Sequence, residues 1–126
     1  MKKNDIKIKG DNGPYSTPIV LPKNKVIKDW IDFNGHMNVA FYTLAFDKSL
    51  DVFLEDILGI GETHAFENKQ GPFVLQAHYH YLSEMTLNEK FNVRLLVFDH
   101  DKKRMHLCLD IFSINKNKVI AVDEKI

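Results

Sequence analysis

The segment Asp32–Asn38, with the sequence Asp-Phe-Asn-Gly-His-Met-Asn, carries the densest group of side chains that could do chemistry. It precedes the longest helical pattern of the chain, so its backbone N–H groups lie at a predicted helix N-terminus, which favours negative charge. Such donors can polarise a carbonyl oxygen, and Gly35 has no side chain to block the approach. Asp32 could deprotonate a water molecule or attack the carbonyl carbon directly. These residues predict acyl-transfer chemistry in which both roles of Asp32 are open.

The same residue types also have a simpler explanation. Asp32, Asn34 and Asn38 are favoured in turns and at helix caps, because their side chains hydrogen-bond to the local backbone. In the functional interpretation, His36 and Asn38 position groups or line a pocket, and Tyr42 reaches back from the helix to the same place. The residues alone leave both interpretations open.

A helical pattern follows this segment, from about Asn38 to about Leu58. The amide side chain of Asn38 can cap the first turn, and Gly59 and Gly61 stand where a helix would end. Apolar residues recur at three- and four-residue spacing, which predicts one buried face made of Phe46, Leu50, Phe53, Leu54 and Ile57. The helix is therefore expected to begin directly beside Asp32.

Strand patterns lie on both sides of the helix. Lys25–Ile31 is rich in β-branched and aromatic side chains and predicts a strand that ends at Asp32. A loop is expected over Glu62–Gly71. Period-two alternation then predicts four strands joined by short turns, in Phe73–Leu82, Phe91–Val97, Met105–Ile111 and Val119–Val122. This order predicts an α+β fold in which a curved antiparallel sheet of about five strands packs on one long helix.

Length and composition indicate a single globular domain. The 126 residues include 17 basic and 17 acidic side chains, which argues against a nucleic-acid-binding surface or an acidic tail. Residues 1–24 mix Lys, Asn, Gly and Pro and predict an extended or partly disordered lead-in, so residues 25–126 are expected to form the domain. No apolar run is long enough to span a membrane, and the lone Cys108 cannot form an internal disulfide. A cytoplasmic location is expected.

Asp32, Gly35, His36 and Asn38 form the pattern Asp-x-x-Gly-His-x-Asn, with Tyr42 ten residues after the Asp. Together with the order of strand, long helix and antiparallel meander, this pattern resembles the hot-dog-fold thioesterases of the 4-hydroxybenzoyl-CoA thioesterase type. The match is closest to the thioesterase-like domains associated with carnitine dehydrogenase, the betainyl-CoA branch. It covers roughly residue 25 to the end of the sequence.

This resemblance implies a hot-dog fold and an acyl-CoA thioesterase that hydrolyses a small acyl-CoA, betainyl-CoA being one candidate. It implies Asp32, Gly35, His36 and Asn38 as the catalytic residues, with Asp32 as general base or nucleophile. The family forms dimers whose sheets join edge to edge and whose active sites lie at the subunit interface. A homodimer or homotetramer is therefore expected, without a membrane or nucleic-acid partner.

Several further side chains are candidates for substrate binding. Phe33, Tyr42, His78 and Tyr79 are expected to line the site, and aromatic rings of this kind could hold a quaternary ammonium group, although core packing is their commoner role. His78 and His80 could present two imidazoles to a metal, but no second pair of ligands follows at suitable spacing, so no metal is expected. No glycine-rich phosphate loop is present, and no organic cofactor is expected.

The basic cluster Lys102–Arg104 has two explanations as well. It could bind the phosphate groups of CoA, or it could simply be the charged end of a hairpin. Two other functions also remain open. A hot-dog hydratase or dehydratase generally has Asp-x-Asn-Pro-x-His, whereas here Gly35 replaces the proline and His36 comes one residue early. A non-catalytic acyl-CoA-binding module would keep the fold without turnover.

Overall fold

A computed structural model describes residues 17–126. In this part of the chain a long helix packs on an antiparallel sheet, which confirms the predicted α+β architecture. The sheet has six strands, in the order β1-β4-β5-β6-β3, with β2 also paired to β4. The strands are β1 (Ile19–Val20), β2 (Asn24–Lys25), β3 (Ala77–Tyr81), β4 (Lys90–His100), β5 (Met105–Ser113) and β6 (Lys118–Lys125). Part of the segment that we expected to be a lead-in thus joins the sheet, and residues 1–16 lie outside the described part.

The long helix has the predicted bounds. Helix α1 (Val39–Val52) begins after Asn38, whose Oδ1 accepts a hydrogen bond from Ala40 N at 3.0 Å. It continues as a π-helical segment, Phe53–Leu58, and ends at Gly59, whose φ of 72° favours glycine. A second helix, α2, spans Glu62–Asn68. No helix within residues 17–126 combines the length and hydropathy that crossing a membrane requires.

The core lies between α1 and the face of the sheet on which the helix packs. The predicted apolar face of α1 is buried, and Phe46 and Phe53 lose almost all contact with solvent. Strand residues on the facing side are equally buried, including Phe91, Leu109 and Ile111. Register shifts between β4 and β5 and between β5 and β6 mark bulges, which increase the local twist of a sheet.

Antiparallel pairing gives the sheet two distinct ends. One end carries Tyr81, Lys90, Ser113 and Lys118, and the other carries Ala77, His100, Met105 and Lys125. The N-terminus of α1 lies at the first end, because Met37 N donates to Met85 O just after β3. Every side chain beside Asp32 is therefore supplied by that end of the sheet and the loops joined to it.

The predicted strand over Lys25–Ile31 was wrong. Only Asn24–Lys25 pairs with β4, and the chain then forms a 3₁₀ turn over Lys28–Trp30, in which Ile27 O and Lys28 O accept from Trp30 N and Ile31 N at 3.0 Å. Ile31 makes only an isolated bridge with Met37. β-branched residues favour strands, but here the local turn and the bridge across the loop supply the backbone hydrogen bonds instead.

Two other boundaries differ from the prediction. The expected loop Glu62–Gly71 contains α2, whose first turn is held by the Glu55 carboxylate, since Thr63 N and Oγ1 donate to it at 3.0 and 2.8 Å. The predicted strand Phe73–Leu82 is longer than the observed strand Ala77–Tyr81. Within residues 17–126, the backbones of Leu75 and Gln76 bond only to Ile126, and Phe73 is 82% exposed.

Replacement of Gly61 by alanine is expected to destabilise the fold. An added Cβ would stand 2.7 Å from the Cα and N atoms of Glu55, so the α1–α2 connection would have to shift. Such overpacking costs about 1–3 kcal/mol. Chemical denaturation should show this loss for Gly61→Ala and almost none for Gly71→Ala, where the nearest atom is Ala65 Cβ at 3.7 Å. Equal unfolding midpoints for the two variants would contradict the packing at Gly61.

Candidate active site

Residues Asp32–Asn38, the Asp32 loop, fold into a tight turn at the N-terminus of α1. Gly35 N donates to Asp32 O and Asp32 N donates to His36 O, both at 3.0 Å, and the Ile31–Met37 bridge closes the base of the loop. Gly35 has a φ of +80°, a conformation that L side chains rarely adopt, and there is open space where a Cβ would be. The surface above Gly35 is accessible, as the functional interpretation requires.

The Asp32 carboxylate is held by two N–H donors. Asn34 N donates to Oδ1 at 2.9 Å and Asn38 Nδ2 donates to Oδ2 at 3.2 Å. Asn38 therefore caps α1 with its oxygen and orients Asp32 with its nitrogen. These are the local bonds that the simpler interpretation predicts, and they also fix a half-buried carboxylate beside a helix N-terminus.

Few N–H groups of this loop are free to contact a substrate oxygen. Gly35, Met37 and Asn38 use their backbone N–H groups to bond Asp32 O, Met85 O and Trp30 O. Within residues 17–126, only His36 among residues 35–38 has a backbone N–H without such a partner. The sequence suggested donors throughout Gly35–Asn38, and the geometry narrows that expectation to His36 N–H.

Tyr42 supports the Asp32 loop through hydrogen bonds to the backbone of Ser83 and Met85. Its hydroxyl accepts from Met85 N at 3.1 Å and donates to Ser83 O at 3.4 Å, and burial raises its pKa. Met85 O in turn accepts from Met37 N at 2.8 Å. The hydroxyl of Tyr42 is thus engaged with the backbone, which favours a positioning role. Its direct contact with substrate stays a prediction.

Segment 83–89 also carries charged side chains that were not among the predicted site residues. His36 Nε2 lies 3.1 Å from Glu84 Oε2. The buried Glu89 carboxylate accepts from Ser113 Oγ at 2.5 Å and from Thr86 N at 3.1 Å. Burial alone would raise the pKa of Glu89, but these bonds and Lys116 outweigh it and lower the pKa.

Lys116 connects this network to the hairpin between β5 and β6. Its ammonium lies 3.2 Å from Glu89 Oε1 and donates to Glu84 O at 2.7 Å. The segment that holds Met37 and Tyr42 is therefore itself held by the buried Glu89 carboxylate and by a lysine of the hairpin at the same end of the sheet. Partners so distant along the chain leave no periodic signal in the sequence.

The predicted substrate-binding residues do not converge in one protomer. Phe33 lies at the tip of the Asp32 loop and is 96% exposed. Tyr79 faces α1, with its ring 5.9 Å from that of Phe46. His78 lies on the other face of β3, across from Glu124 in the strand register, and is exposed. The roles of these residues in binding stay predictions.

Aromatic rings continue from the Asp32 end along β3. The Tyr81 ring lies 5.4 Å from that of Tyr42 and 6.3 Å from that of Tyr79, which it stacks upon. Trp30 and Phe41 form a separate stacked pair at 5.8 Å. Within residues 17–126, no group of three or more His, Cys, Asp or Glu side chains is arranged to hold a metal ion.

A cavity lies elsewhere, away from the Asp32 loop. It has a volume of about 780 Å³ and is lined by the C-terminal part of α1, segment 70–75 and the β4–β5 hairpin. Its walls are mainly apolar, and none of its lining residues belongs to the Asp32 loop. Leu50, the first helix residue in the cavity wall, lies twelve residues after Asn38, so about 18 Å of helix separates the Asp32 loop from the near wall of the cavity.

The predicted basic cluster Lys102–Arg104 forms part of the cavity rim. Arg104 is paired with Asp101 at 2.8 Å, and hydrogen bonds from Lys103 N and Arg104 lower the pKa of Asp101 to about 2. In the part of the chain that the structure describes, no carboxylate pairs with the ammonium groups of Lys102 and Lys103. The rim therefore presents free positive charge.

Residues 26–125 match the sequence profile of the thioesterase-like superfamily. The chain belongs to this family. It is 30% identical over 111 residues to a betainyl-CoA thioesterase of Pseudomonas aeruginosa, an alignment that covers 88% of this chain and 65% of the relative. The chain thus spans less than two thirds of the length of that relative.

Solved structures confirm the predicted hot-dog fold. A Staphylococcus aureus protein in complex with CoA superposes with a TM-score of 0.79 at 26% identity, covering 90% of this chain and 71% of that one. A second S. aureus structure, a DHNA-CoA thioesterase, has a TM-score of 0.74 at 15% identity, with 83% and 69% covered. At this identity the second structure supports the fold alone.

Acidic pH should destabilise the protein by protonating Glu89, which supports the candidate site. Because its pKa lies below the ordinary 4.5, ionised Glu89 stabilises the fold above pH 4.5, and this contribution is lost as the pH falls through the lowered pKa. Urea unfolding of the wild type should show this loss below pH 4.5. Glu89→Gln should be less stable at neutral pH and should lose less on acidification. The exposed Glu67→Gln should follow the wild type, and identical pH profiles for all three proteins would contradict the inference.

Proposed function

We propose that this protein is an acyl-CoA thioesterase with Asp32 as its reacting carboxylate. The observation that carries the proposal is the Asp32 side chain, oriented by Asn34 N and Asn38 Nδ2 beside the free His36 N–H. Family membership and the betainyl-CoA thioesterase relative support hydrolysis of a thioester. The CoA complex of the S. aureus neighbour supports CoA as the carrier.

The proposed chemistry uses two groups of the Asp32 loop, the His36 N–H and the Asp32 carboxylate. The thioester carbonyl oxygen accepts from His36 N–H at the positive end of α1, where developing negative charge is stabilised. As a general base, Asp32 takes a proton from water while the water oxygen bonds to the carbonyl carbon. The C–S bond then breaks and the CoA sulfur takes up a proton. As a nucleophile, Asp32 would form an anhydride that water hydrolyses, and both routes remain open.

A second protomer supplies the rest of the proposed site. Strand β3 pairs with β6 on one side only, so its other edge is available within the described sheet. Two copies that join β3 to β3 about a two-fold axis run antiparallel, so the Ala77 end of one faces the Tyr81 end of the other. The cavity of one protomer then lies beside the Asp32 loop of its partner. This arrangement gives a homodimer, with tetramers as an extension.

Charge and shape suggest how the substrate lies across the interface. Lys102 and Lys103 at the cavity rim attract the phosphate groups of CoA, because their ammonium groups have no carboxylate partner in residues 17–126. A small acyl group then reaches the Asp32 loop, and betainyl is the first candidate because of the P. aeruginosa relative. Tyr79 and Tyr81 would attract its ammonium through their ring faces.

The cytoplasm is the proposed compartment. Cys108 is the one cysteine of the sequence and is free, as expected in a reducing environment.

Asp32→Asn should abolish most thioester hydrolysis while leaving the fold intact. Free-thiol release from a panel of acyl-CoAs, betainyl-CoA included, should fall by about 10²–10⁴-fold in kcat, because neither base nor nucleophile remains. KM should change little, since Asp32 is remote from the proposed phosphate site. Asp29→Asn, in the preceding 3₁₀ turn, is the matched control and should retain full activity.

Two results would count against this proposal. Full activity of Asp32→Asn would remove Asp32 from the reaction. Wild-type protein that binds CoA but hydrolyses no acyl-CoA of the panel would identify a non-catalytic binding module instead.

A further inference from the structure

The carboxylate of Glu84 lies beside the Asp32 loop and has no part in the proposed reaction steps. Its Oε2 atom lies 3.1 Å from His36 Nε2, and the Glu84 side chain is 57% exposed, so a second group can approach it. Lys116 donates to the backbone carbonyl oxygen of Glu84 and lies 3.2 Å from the buried Glu89 carboxylate. Glu89 therefore offsets the charge of Lys116, and Glu84 adds negative charge beside the loop.

The negative charge at the Asp32 loop has no lysine or arginine partner. Within residues 17–126, neither the Asp32 carboxylate nor that of Glu84 forms an ion pair with either type of side chain. At the cavity rim the signs are reversed, since the ammonium groups of Lys102 and Lys103 have no carboxylate partner in the same residues. The two ends of the proposed binding site thus carry opposite unpaired charges.

An exposed aromatic ring accompanies the Glu84 carboxylate. The ring of Tyr81 lies 5.4 Å from that of Tyr42, and Tyr81 is 46% exposed. Ser83, which stands between Tyr81 and Glu84 in the chain, accepts from the Tyr42 hydroxyl at 3.4 Å. Burial is the main cause that raises the pKa of Tyr42, and the charges of Glu89 and Glu84 raise it further. Tyr42 therefore has both an exposed ring and the Glu84 carboxylate as neighbours.

This combination of groups favours a cation. A carboxylate and an aromatic ring both attract positive charge, whereas a neutral group of the same size gains only the packing contacts. A quaternary ammonium has no N–H to donate, so charge and ring faces are the interactions it can make. When the carbonyl oxygen of an acyl group accepts from the His36 N–H, an ammonium on the adjacent carbon lies close to Glu84, which contacts the side chain of the same histidine.

Asp32 is poorly suited to neutralise such a cation itself. Its oxygens already accept from Asn34 N and Asn38 Nδ2, and in the proposed reaction they must also meet a water molecule or the carbonyl carbon. A cation held against a carboxylate favours its ionised form and so makes it a weaker base. A second carboxylate that takes the cation leaves Asp32 available to react.

We propose that Glu84 is a specificity-determining residue that selects acyl groups with a positive charge next to the thioester, an inference that rests on the proposed thioesterase function. Glu84 attracts the cation together with the exposed ring of Tyr81, while Asp32 reacts. The same carboxylate repels acyl groups that end in a negative charge. With the CoA phosphates at the cationic rim, the charges of the substrate fix its direction across the site.

The test uses two CoA thioethers, which contain no thioester and are not hydrolysed. In both, a methylene group stands between the sulfur and a carbonyl carbon, and the far end carries either a trimethylammoniomethyl or a neopentyl group. These two groups have nearly the same shape and differ in charge. Calorimetry should show that Glu84→Gln binds the cationic thioether about fivefold more weakly than the wild type does, as expected for a partly exposed charge pair, and binds the neutral one equally well.

Two further variants separate selection from general damage. Glu124→Gln is the matched control, because it removes the carboxylate of another His–Glu pair, 2.7 Å from His106 and outside the Asp32 loop. It should keep the wild-type preference for the cationic thioether. Glu84→Asp restores the charge on a shorter side chain and should recover part of the preference that Glu84→Gln loses.

Because binding is measured rather than turnover, failure of the two proposals can be told apart. An inactive wild type that prefers the cationic thioether in a Glu84-dependent way would overturn the thioesterase proposal alone. An active wild type whose preference persists in Glu84→Gln would overturn the role of Glu84 alone. Equal weakening of both thioethers in Glu84→Gln would also overturn it, since that result shows damage to the site and not selection. Wild type that binds neither thioether would overturn it as well.

Discussion

The length of the helix that begins at Val39 is the constraint on which the rest depends. It holds Asp32 at one end of the sheet and the cavity at the other, with about 18 Å of helix between Asn38 and Leu50, the near wall of the cavity. In the proposed antiparallel dimer, the cavity end of one protomer lies beside the Asp32 end of the other. Catalysis in the proposed dimer therefore depends on the edge of β3 that is unpaired within the described sheet.

The Asp32 loop is rigid for reasons that lie outside it. Met37 and Tyr42 both bond to the backbone of Met85, and Lys116 and Glu89 hold the segment to which Met85 belongs. A reacting carboxylate must keep its position while the substrate binds, and pre-oriented groups avoid the cost of ordering during the reaction. The buried carboxylate of Glu89 thus serves the geometry of Asp32 without approaching it.

Features that depend on neighbours in sequence could be predicted. Asn38 caps the helix through Ala40, only two residues away, and Gly59 ends the helical segment where expected. Features that depend on distant partners could not. Helix α2 begins where Glu55 binds Thr63, and the strand expected at Lys25–Ile31 gives way to a turn and to a bridge from Ile31 to Met37.

In the candidate site, too, the features formed by neighbouring residues could be predicted and those formed by distant segments could not. The Asp32 loop was identified from residue types at fixed spacing, whereas the cavity is assembled from segments far apart in the chain. In the sequence, Lys125 and Asp123 look like ordinary strand residues, and only the structure shows that they form a buried ion pair. Hydrophobic periodicity predicts which face of a strand is buried, but it does not predict which buried polar side chains bond to each other.

Complementation between two defective proteins tests the shared site most directly. Asp32→Asn lacks the proposed reacting carboxylate, and Lys102→Glu/Lys103→Glu carries a rim that repels phosphate, so each alone should hydrolyse little acyl-CoA at low substrate concentration. Random mixing by co-refolding makes half of the dimers mixed, each with one intact site, so activity should recover to about a quarter of the wild-type value. Activity no higher than the average of the two separate variants would contradict a site built from two protomers.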